Sequence, residues 1–353
     1  MISRLDDILF ERYGMSSASL ATYRVVFAAY TLLFFVPRHQ WLRNVPDAFS
    51  YPALGPALVF DGFPPGWTFV LLDVALVVAL VGLLFGWRPR ATSLTVGGLL
   101  VVGNLWRYSL GKIDHDILLV SVPLVLAFCY WGRHPEDDPS SNSTDDPSKT
   151  KPPGNTWPLA ILALIIALAM FSAALLKLLG GWADPDAYAT LYHAKQNAAM
   201  GSRDPILWDT ISRYASPGWP WKVVDYATLV LEAGFLLAWP WPRKFRLVCA
   251  TAVLFHVGVY LTMDIAFRAP LIAYLAFFGL SGLRDSAPNW LTAPWVQRTA
   301  QLCVGVYAAV LLYGIAVGDQ LSVLDSMRSI LVPPVFGVAA ILAVSFLVQH
   351  TRQ

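Results

Sequence analysis

Six ionisable residues fall inside or beside long apolar segments of this chain, and they are the positions where chemistry could occur: Arg24, Asp73, His115, Lys177, Glu232 and His256. A charged side chain in a bilayer costs about 2.5–3.5 kcal/mol on insertion scales, so each needs a partner or a function. A partly dehydrated lysine can become a neutral amine base, and histidine transfers protons readily. We therefore take Lys177, His115 and His256 as candidate catalytic residues. Arg24 and Glu232 are candidate polar partners inside the helix bundle.

The same residues also have structural interpretations. Lys177 could be a lysine at a helix end whose ammonium extends to the lipid headgroups. His115 and His256 could be core histidines bonded to a neighbour, and Asp73, close to a span start, could be interfacial. Glu232 and His256 fall near mid-depth of adjacent apolar segments, where they could face each other or a polar cavity.

Apolar segments long enough to cross a bilayer carry these residues. A helix needs about 20 mostly apolar residues to cross the hydrocarbon core, because unpaired backbone groups cannot face lipid. The 353-residue chain is 56% hydrophobic and only 14% charged. We predict an all-α, polytopic transmembrane helix bundle of about ten spans, with no large soluble domain. The spans lie near residues 20–36, 67–86, 91–107, 115–131, 157–177, 223–240, 247–263, 269–283, 298–317 and 331–349.

The rest of the composition supports a lipid bilayer as the main partner. Many of the 14 Trp and 14 Tyr residues lie beside predicted span ends, as in interfacial aromatic belts. A net charge of +2 does not indicate nucleic-acid binding. Cys129, Cys249 and Cys303 are scattered in apolar runs, so we predict neither a disulfide framework nor a metal site. The sequence also has no glycine-rich phosphate loop and no nucleophile elbow.

Two short basic turns predict the orientation. Trp87–Arg88–Pro89–Arg90 and Arg243–Lys244–Phe245–Arg246 should be cytoplasmic, because positive charge is enriched in cytoplasmic loops. Counting spans from either turn places both chain termini in the cytoplasm of a multi-pass cell-membrane protein. It also places His115 and Lys177 at the outer face, and makes the polar stretch 133–156 a flexible cytoplasmic linker.

Residues 178–222 are predicted to form a structured outer loop. Aspartate followed by proline favours a helix start, because the carboxylate caps free N–H groups and proline fits the first turn. This pattern occurs at Asp184–Pro185 and Asp204–Pro205. After the second, Leu207, Ile211 and Tyr214 would share one face of a short helix along the membrane surface.

A series of short motifs occurs in a distinctive order between Leu20 and Gly282. The motifs are Ala21–Thr22–Tyr23–Arg24–Val25–Val26–Phe27, Tyr51–Pro52, Gly86–Trp87–Arg88, Ser109–Leu110–Gly111–Lys112–Ile113–Asp114–His115, Ala174–Leu175–Leu176–Lys177–Leu178–Leu179–Gly180–Gly181–Trp182, Leu231–Glu232–Ala233–Gly234–Phe235, Leu254–Phe255–His256 and Ile265–Ala266–Phe267. In this order the chain resembles the HTTM family, the membrane domain shared with vitamin K-dependent gamma-glutamyl carboxylases.

The resemblance implies an HTTM/carboxylase-like transmembrane domain over residues 1–283, followed by two additional transmembrane helices within 284–353. In the carboxylases a lysine deprotonates reduced vitamin K. The resemblance therefore implies Lys177 as the base, His115 and His256 as residues that shape or protonate the pocket, and a reduced, vitamin K-like quinone as cofactor. The chain departs from the carboxylases in having Leu176 beside this lysine, where they have two adjacent lysines, and in lacking a large soluble region after Gly282.

Three functions follow as hypotheses. The first is a quinol- or lipid-dependent membrane enzyme with a carboxylase- or oxygenase-like activity, which uses Lys177 as a general base in an outer-facing pocket. The second is a non-catalytic HTTM membrane partner or maturation factor for a secreted peptide. Transport is the least favoured, because the matched pair of broken helices typical of inverted-repeat transporters is missing. The sequence does not identify a protein partner.

Overall fold

The fold consists of helices joined by turns and short helical segments. The computed structural model describes residues 2–51, 56–110, 116–129, 156–200, 205–214, 216–280, 294–317 and 322–351. Within these ranges there is no β-strand, so the predicted all-α class is confirmed. The helices are α1 (Ile2–Asp7), α2 (Ser17–Phe35), α3 (Gly66–Leu84), α4 (Pro89–Arg107), α5 (Ile117–Leu126), α6 (Thr156–Leu179), α7 (Ala189–Met200), α8 (Trp208–Ile211), α9 (Trp219–Ala238), α10 (Pro242–Met263), α11 (Arg268–Leu275), α12 (Pro294–Val317) and α13 (Ser322–Thr351).

Five helical segments of the described ranges are long and apolar enough to cross a membrane. They are Ser17–Asn44, Gly66–Leu84, Trp157–Leu179, Pro242–Met263 and Ser326–Gln349. Each contains at least 18 residues, which at 1.5 Å per residue approaches the roughly 30 Å thickness of the hydrocarbon core. Helices of this length and composition indicate contact with a lipid bilayer.

The other five predicted spans coincide with helices that are shorter or more polar. α5 has 10 residues and α11 has 8. They therefore extend only about 15 Å and 12 Å, roughly half of the hydrocarbon core. α4 and α9 are longer but carry buried polar residues such as Asn104 and Glu232. In α12 the stretch Gln301–Val317 is one of the shorter apolar helices found among the described residues. The count of ten spans stays a prediction.

The chain forms two compact units, each containing segments from distant parts of the sequence. The first comprises Met1–Arg12, Ala160–Phe278 and Ser329–Gln353, and the second comprises Tyr13–Leu159 and Gly279–Arg328. In the first unit α10 packs against α7, α9 and α11, and in the second α3 packs against α2, α4 and α12. Nearly all of the predicted linker 133–156 lies outside the described residues.

The segment between α6 and α9 contains α7, α8 and the short 3-10 helix Ser212–Tyr214. The predicted helix start at Asp184–Pro185 is wrong. Asp184 instead begins a turn, in which its backbone oxygen accepts from Ala187 N at 3.1 Å. α7 begins at Ala189 because a distant carboxylate caps it: Asp225 of α9 accepts from the N–H groups of Ala189 and Thr190, at 3.2 and 2.9 Å. Asp204 lies outside the described residues.

Candidate functional site

Lys177 and Glu232 form an ion pair between α6 and α9. The last turn of α6 carries Lys177, whose Nζ donates to Glu232 Oε1. The Lys177 side chain is 24% exposed, whereas that of Glu232 is only 3% exposed. Glu232 Oε2 is buried without a hydrogen-bond partner among the described residues. The pair thus combines a partly exposed lysine side chain with an enclosed carboxylate whose second oxygen has no partner among the described residues.

Apolar side chains surround the point where Lys177 emerges from α6. The neighbouring Leu175, Leu176, Leu178 and Leu179 are between 43% and 76% exposed. Lys177 Nζ also lies 5.3 Å from the centroid of the Trp182 ring, within the range of a cation–π contact. The amine is therefore reached across an apolar surface, which a lipid-soluble ligand could approach.

His256 is enclosed by aromatic rings in the same unit. It is 1% exposed, and its ring stacks on Tyr274 with an interplanar angle of 6°. His256 Nε2 lies 3.4 Å from the Tyr274 hydroxyl, and that hydroxyl donates to Met170 Sδ at 3.2 Å. The Phe267 ring centroid is 4.6 Å from that of His256. The structure thus places His256 beside a phenol within an aromatic cluster, while Lys177 is placed beside Glu232 and Trp182.

Tyr274 also contacts the helix that carries Glu232. Its ring stacks on Phe235 of α9, with centroids 5.5 Å apart. Glu232 and Phe235 are three residues apart and lie on neighbouring positions of one helix face. Tyr274 is therefore packed between α9 and His256, a position that sequence analysis did not identify because tyrosine in an apolar run resembles core.

Two predicted site residues remain, Arg24 and His115, and the structure describes only Arg24. Arg24 Nη1 donates to the backbone oxygen of Leu83 at 3.0 Å, at the end of α3. Its guanidinium lies against Gly86, where φ is +74° and an added Cβ would overlap it. Arg24 thus caps the carboxyl end of α3 within the second unit. His115 lies outside the described residues.

Asp73 is enclosed by protein in the second unit. It is 0% exposed about two turns into α3. Its Oδ2 accepts from the backbone N–H groups of Arg38, His39 and Gln40, at 3.0, 2.8 and 2.8 Å. Its Oδ1 lies 3.0 Å from His39 Nδ1. The His39 ring lies against Gly103 of α4, where an added Cβ would overlap it.

Beside this pair lies a group of charged and amide side chains that was not predicted from the sequence. Arg38 Nη2 donates to Asp116 Oδ2 at 3.1 Å and to Asn104 Oδ1 at 3.3 Å. Arg107 Nη1 donates to the same oxygen of Asp116 at 2.5 Å. One available signal was the spacing of Asn104 and Arg107, which puts two polar side chains on one face of an apolar helix.

The described residues contain no group of three or more His, Cys, Asp or Glu side chains arranged to hold a metal ion. For a quinol, the residues present are chemically suitable, since an amine paired with a carboxylate borders an apolar surface at Lys177.

Comparisons of the chain with protein-family models, with curated proteins and with solved structures found no match. The resemblance to the HTTM family therefore stays a prediction, and the geometry of the site is the basis for assigning a function.

Proposed function

We propose that this chain is a multi-pass membrane protein of about ten spans whose Lys177–Glu232 pair removes a proton from an isoprenoid quinol or a similar lipid. The single observation that carries the proposal is this pair, with a partly exposed lysine side chain beside exposed leucines and a buried carboxylate behind it. The orientation with both termini in the cytoplasm, the HTTM/carboxylase-like domain over 1–283 and two further spans within 284–353 belong to the same proposal.

In this proposal the carboxylate holds the proton that the lysine must lose before it can act as a base. Two opposite charges are costly to desolvate, so in apolar surroundings a neutral pair competes with the ion pair. Transfer of one proton from Lys177 to Glu232 leaves a free amine and a carboxylic acid. The amine can then accept the proton of a bound hydroxyl and become an ammonium again. That ammonium stabilises the oxyanion formed, because charge interactions are strong where water is excluded.

A reduced quinone, when bound, would supply the acidic hydroxyl and the electrons for reaction with oxygen. Lys177 would hold the hydroxyl by a hydrogen bond, and the exposed leucines beside it would contact the apolar part of the ligand. His256 would shape the pocket through Tyr274, against which it is stacked. His115 is included in the proposed site through the sequence resemblance.

The test is quinol-dependent oxygen uptake by purified protein in detergent, with a short-chain naphthoquinol as the probe. Lys177→Ala and Glu232→Gln should each abolish uptake, because the first removes the amine and the second removes the proton acceptor behind it. Lys244→Ala serves as the matched control, since Lys244 is an exposed lysine of a predicted cytoplasmic turn and should retain uptake. Uptake at the wild-type rate in Lys177→Ala would refute the proposal.

A second function, a non-catalytic membrane partner, is favoured by one observation. Glu232 neutralises the Lys177 ammonium, and a pair with a purely structural role has the same geometry. Removing one member of a buried pair costs about 3–5 kcal/mol, whereas replacing both is often neutral. Under this alternative, Lys177→Met/Glu232→Gln should be stable, should show no loss of function, and should co-purify with a protein partner. Loss of naphthoquinol turnover in that stable double variant would instead support the enzyme.

A further inference from the structure

A cluster of four side chains in the second unit has more hydrogen-bond donors than acceptors. We name it the Arg38–Arg107 cluster, and it consists of Arg38, Asn104, Arg107 and Asp116. The two guanidinium groups share one carboxylate oxygen of Asp116, and Arg38 also donates to the Asn104 side-chain oxygen. Among the described residues of the cluster, two guanidinium groups thus share one carboxylate.

Donor groups inside the cluster have no acceptor. Arg38 Nε and Asn104 Nδ2 are buried and lack a hydrogen-bond partner among the described residues. Arg38 is 6% exposed and Asn104 is 2% exposed. A buried donor without a partner is costly, so such groups are normally bonded to an acceptor. Arginine carries no acceptor atom and the Asn104 side-chain oxygen already accepts from Arg38, so an oxygen for these donors would come from outside the four side chains.

The nearby carboxylate of Asp73 is already engaged. Its two oxygens bond to three backbone N–H groups and to the His39 ring. Among these bonds, Arg38 takes part only through its backbone N–H, while its side chain points to Asn104 and Asp116. Asp73 therefore does not supply an acceptor for the unpartnered donors of the cluster.

We propose that the Arg38–Arg107 cluster binds a phosphate group, carried by a lipid headgroup or by free phosphate. Guanidinium groups present parallel N–H donors that match phosphate oxygens, and charge-assisted bonds of this kind are strong. Access is through Arg107, whose side chain is 27% exposed. Val101, Val102 and Ile117 border the cluster in sequence and are each 39% exposed, which provides an apolar surface for acyl chains.

The experiment measures thermal unfolding of the full chain purified in an uncharged maltoside detergent. One series contains increasing inorganic phosphate, with chloride at matched ionic strength, and another contains phosphatidylglycerol mixed into the micelles. We expect a saturable rise in Tm with at least one phosphate probe and none with chloride. Arg107→Gln should weaken the apparent affinity about 10-fold or more, the value of one charge-assisted hydrogen bond.

Arg90→Gln is the matched control, because it removes the same charge from an exposed position at the other end of α4. It should leave the apparent affinity unchanged. Arg107→Lys keeps the charge but loses the planar group, so its affinity should lie between those of wild type and Arg107→Gln. Protection by phosphatidylglycerol alone assigns the site to a headgroup, and protection by both assigns it to the phosphate group itself.

Two results would overturn the proposal. One is the absence of phosphate-specific protection in the wild-type chain, and the other is an equal loss of affinity in Arg107→Gln and Arg90→Gln. Neither result bears on the Lys177–Glu232 pair, which belongs to the first unit and is tested separately by the naphthoquinol assay.

Discussion

Replacing Asp73 by alanine should be among the most destabilising single changes in the second unit. This carboxylate joins α3 to the backbone that follows α2, by accepting three N–H groups at 2.8–3.0 Å and bonding to His39. Alanine has no acceptor, and the site is 0% exposed. Water cannot replace the lost bonds without opening the helix contacts.

The size of the effect follows from the number of groups left without partners. Each orphaned buried donor costs roughly 1–3 kcal/mol, so three N–H groups set a lower limit of about 3 kcal/mol. Breaking a buried charged contact costs about 3–5 kcal/mol, which agrees with this limit. At about 2 °C per kcal/mol for a chain of this size, Tm should fall by about 6–10 °C.

The assay is thermal unfolding in detergent, monitored by the fluorescence of the 14 tryptophans. Asp73→Asn should lie between wild type and Asp73→Ala, because the amide oxygen still accepts N–H groups but carries no charge. Asp61→Ala, at an exposed aspartate of the loop before α3, should change Tm by less than about 2 °C. A Tm for Asp73→Ala equal to that of the wild type would refute the idea that this carboxylate stabilises the second unit.

Two further predictions concern close packing and helix capping. Gly103→Ala should lower Tm, because the new Cβ overlaps the His39 ring and overpacking costs about 1–3 kcal/mol; Gly98→Ala, on the same helix with nothing within 4 Å, should be neutral or stabilising by about 1 kcal/mol. Equal Tm values for the two variants would contradict the close contact between Gly103 and the His39 ring. Asp225→Ala should release the start of α7, since its carboxylate also accepts from Thr190 Oγ1 at 2.5 Å. Limited proteolysis should then cut α7 faster than in wild type, and an unchanged cleavage rate would contradict the cap.

The sequence predicted helix positions well where hydropathy and helix length agree. The predicted spans 20–36 and 67–86 correspond to α2 and α3 to within three residues. The structure differs from the prediction of one continuous helix near 269–283, because α11 ends at Leu275 and a turn follows. That turn is itself buried, with Ala276 and Phe277 at most 1% exposed. Hydropathy cannot detect such a helix end, since a buried turn is as apolar as a membrane helix.

The candidate site was predictable only in part, for a related reason. Lys177, Glu232 and His256 stand out because a titratable residue in an apolar run is costly and therefore noticeable. Arg38 and His39 do not stand out, because they directly follow an apolar segment and look like residues of a polar loop. Their burial depends on α3 and α4, which supply Asp73 and Gly103 from elsewhere in the chain.

The apolar segments, the all-helical class and the identity of the unusual charged residues were determined by the sequence alone, because each is a local property of a few neighbouring residues. The tertiary structure decided which charges meet. Lys177 pairs with a glutamate 55 positions away, His39 with an aspartate 34 positions away, and Arg38 with an aspartate 78 positions away. Such pairs depend on which helix faces pack together, and that packing is set by contacts between segments that are distant along the chain.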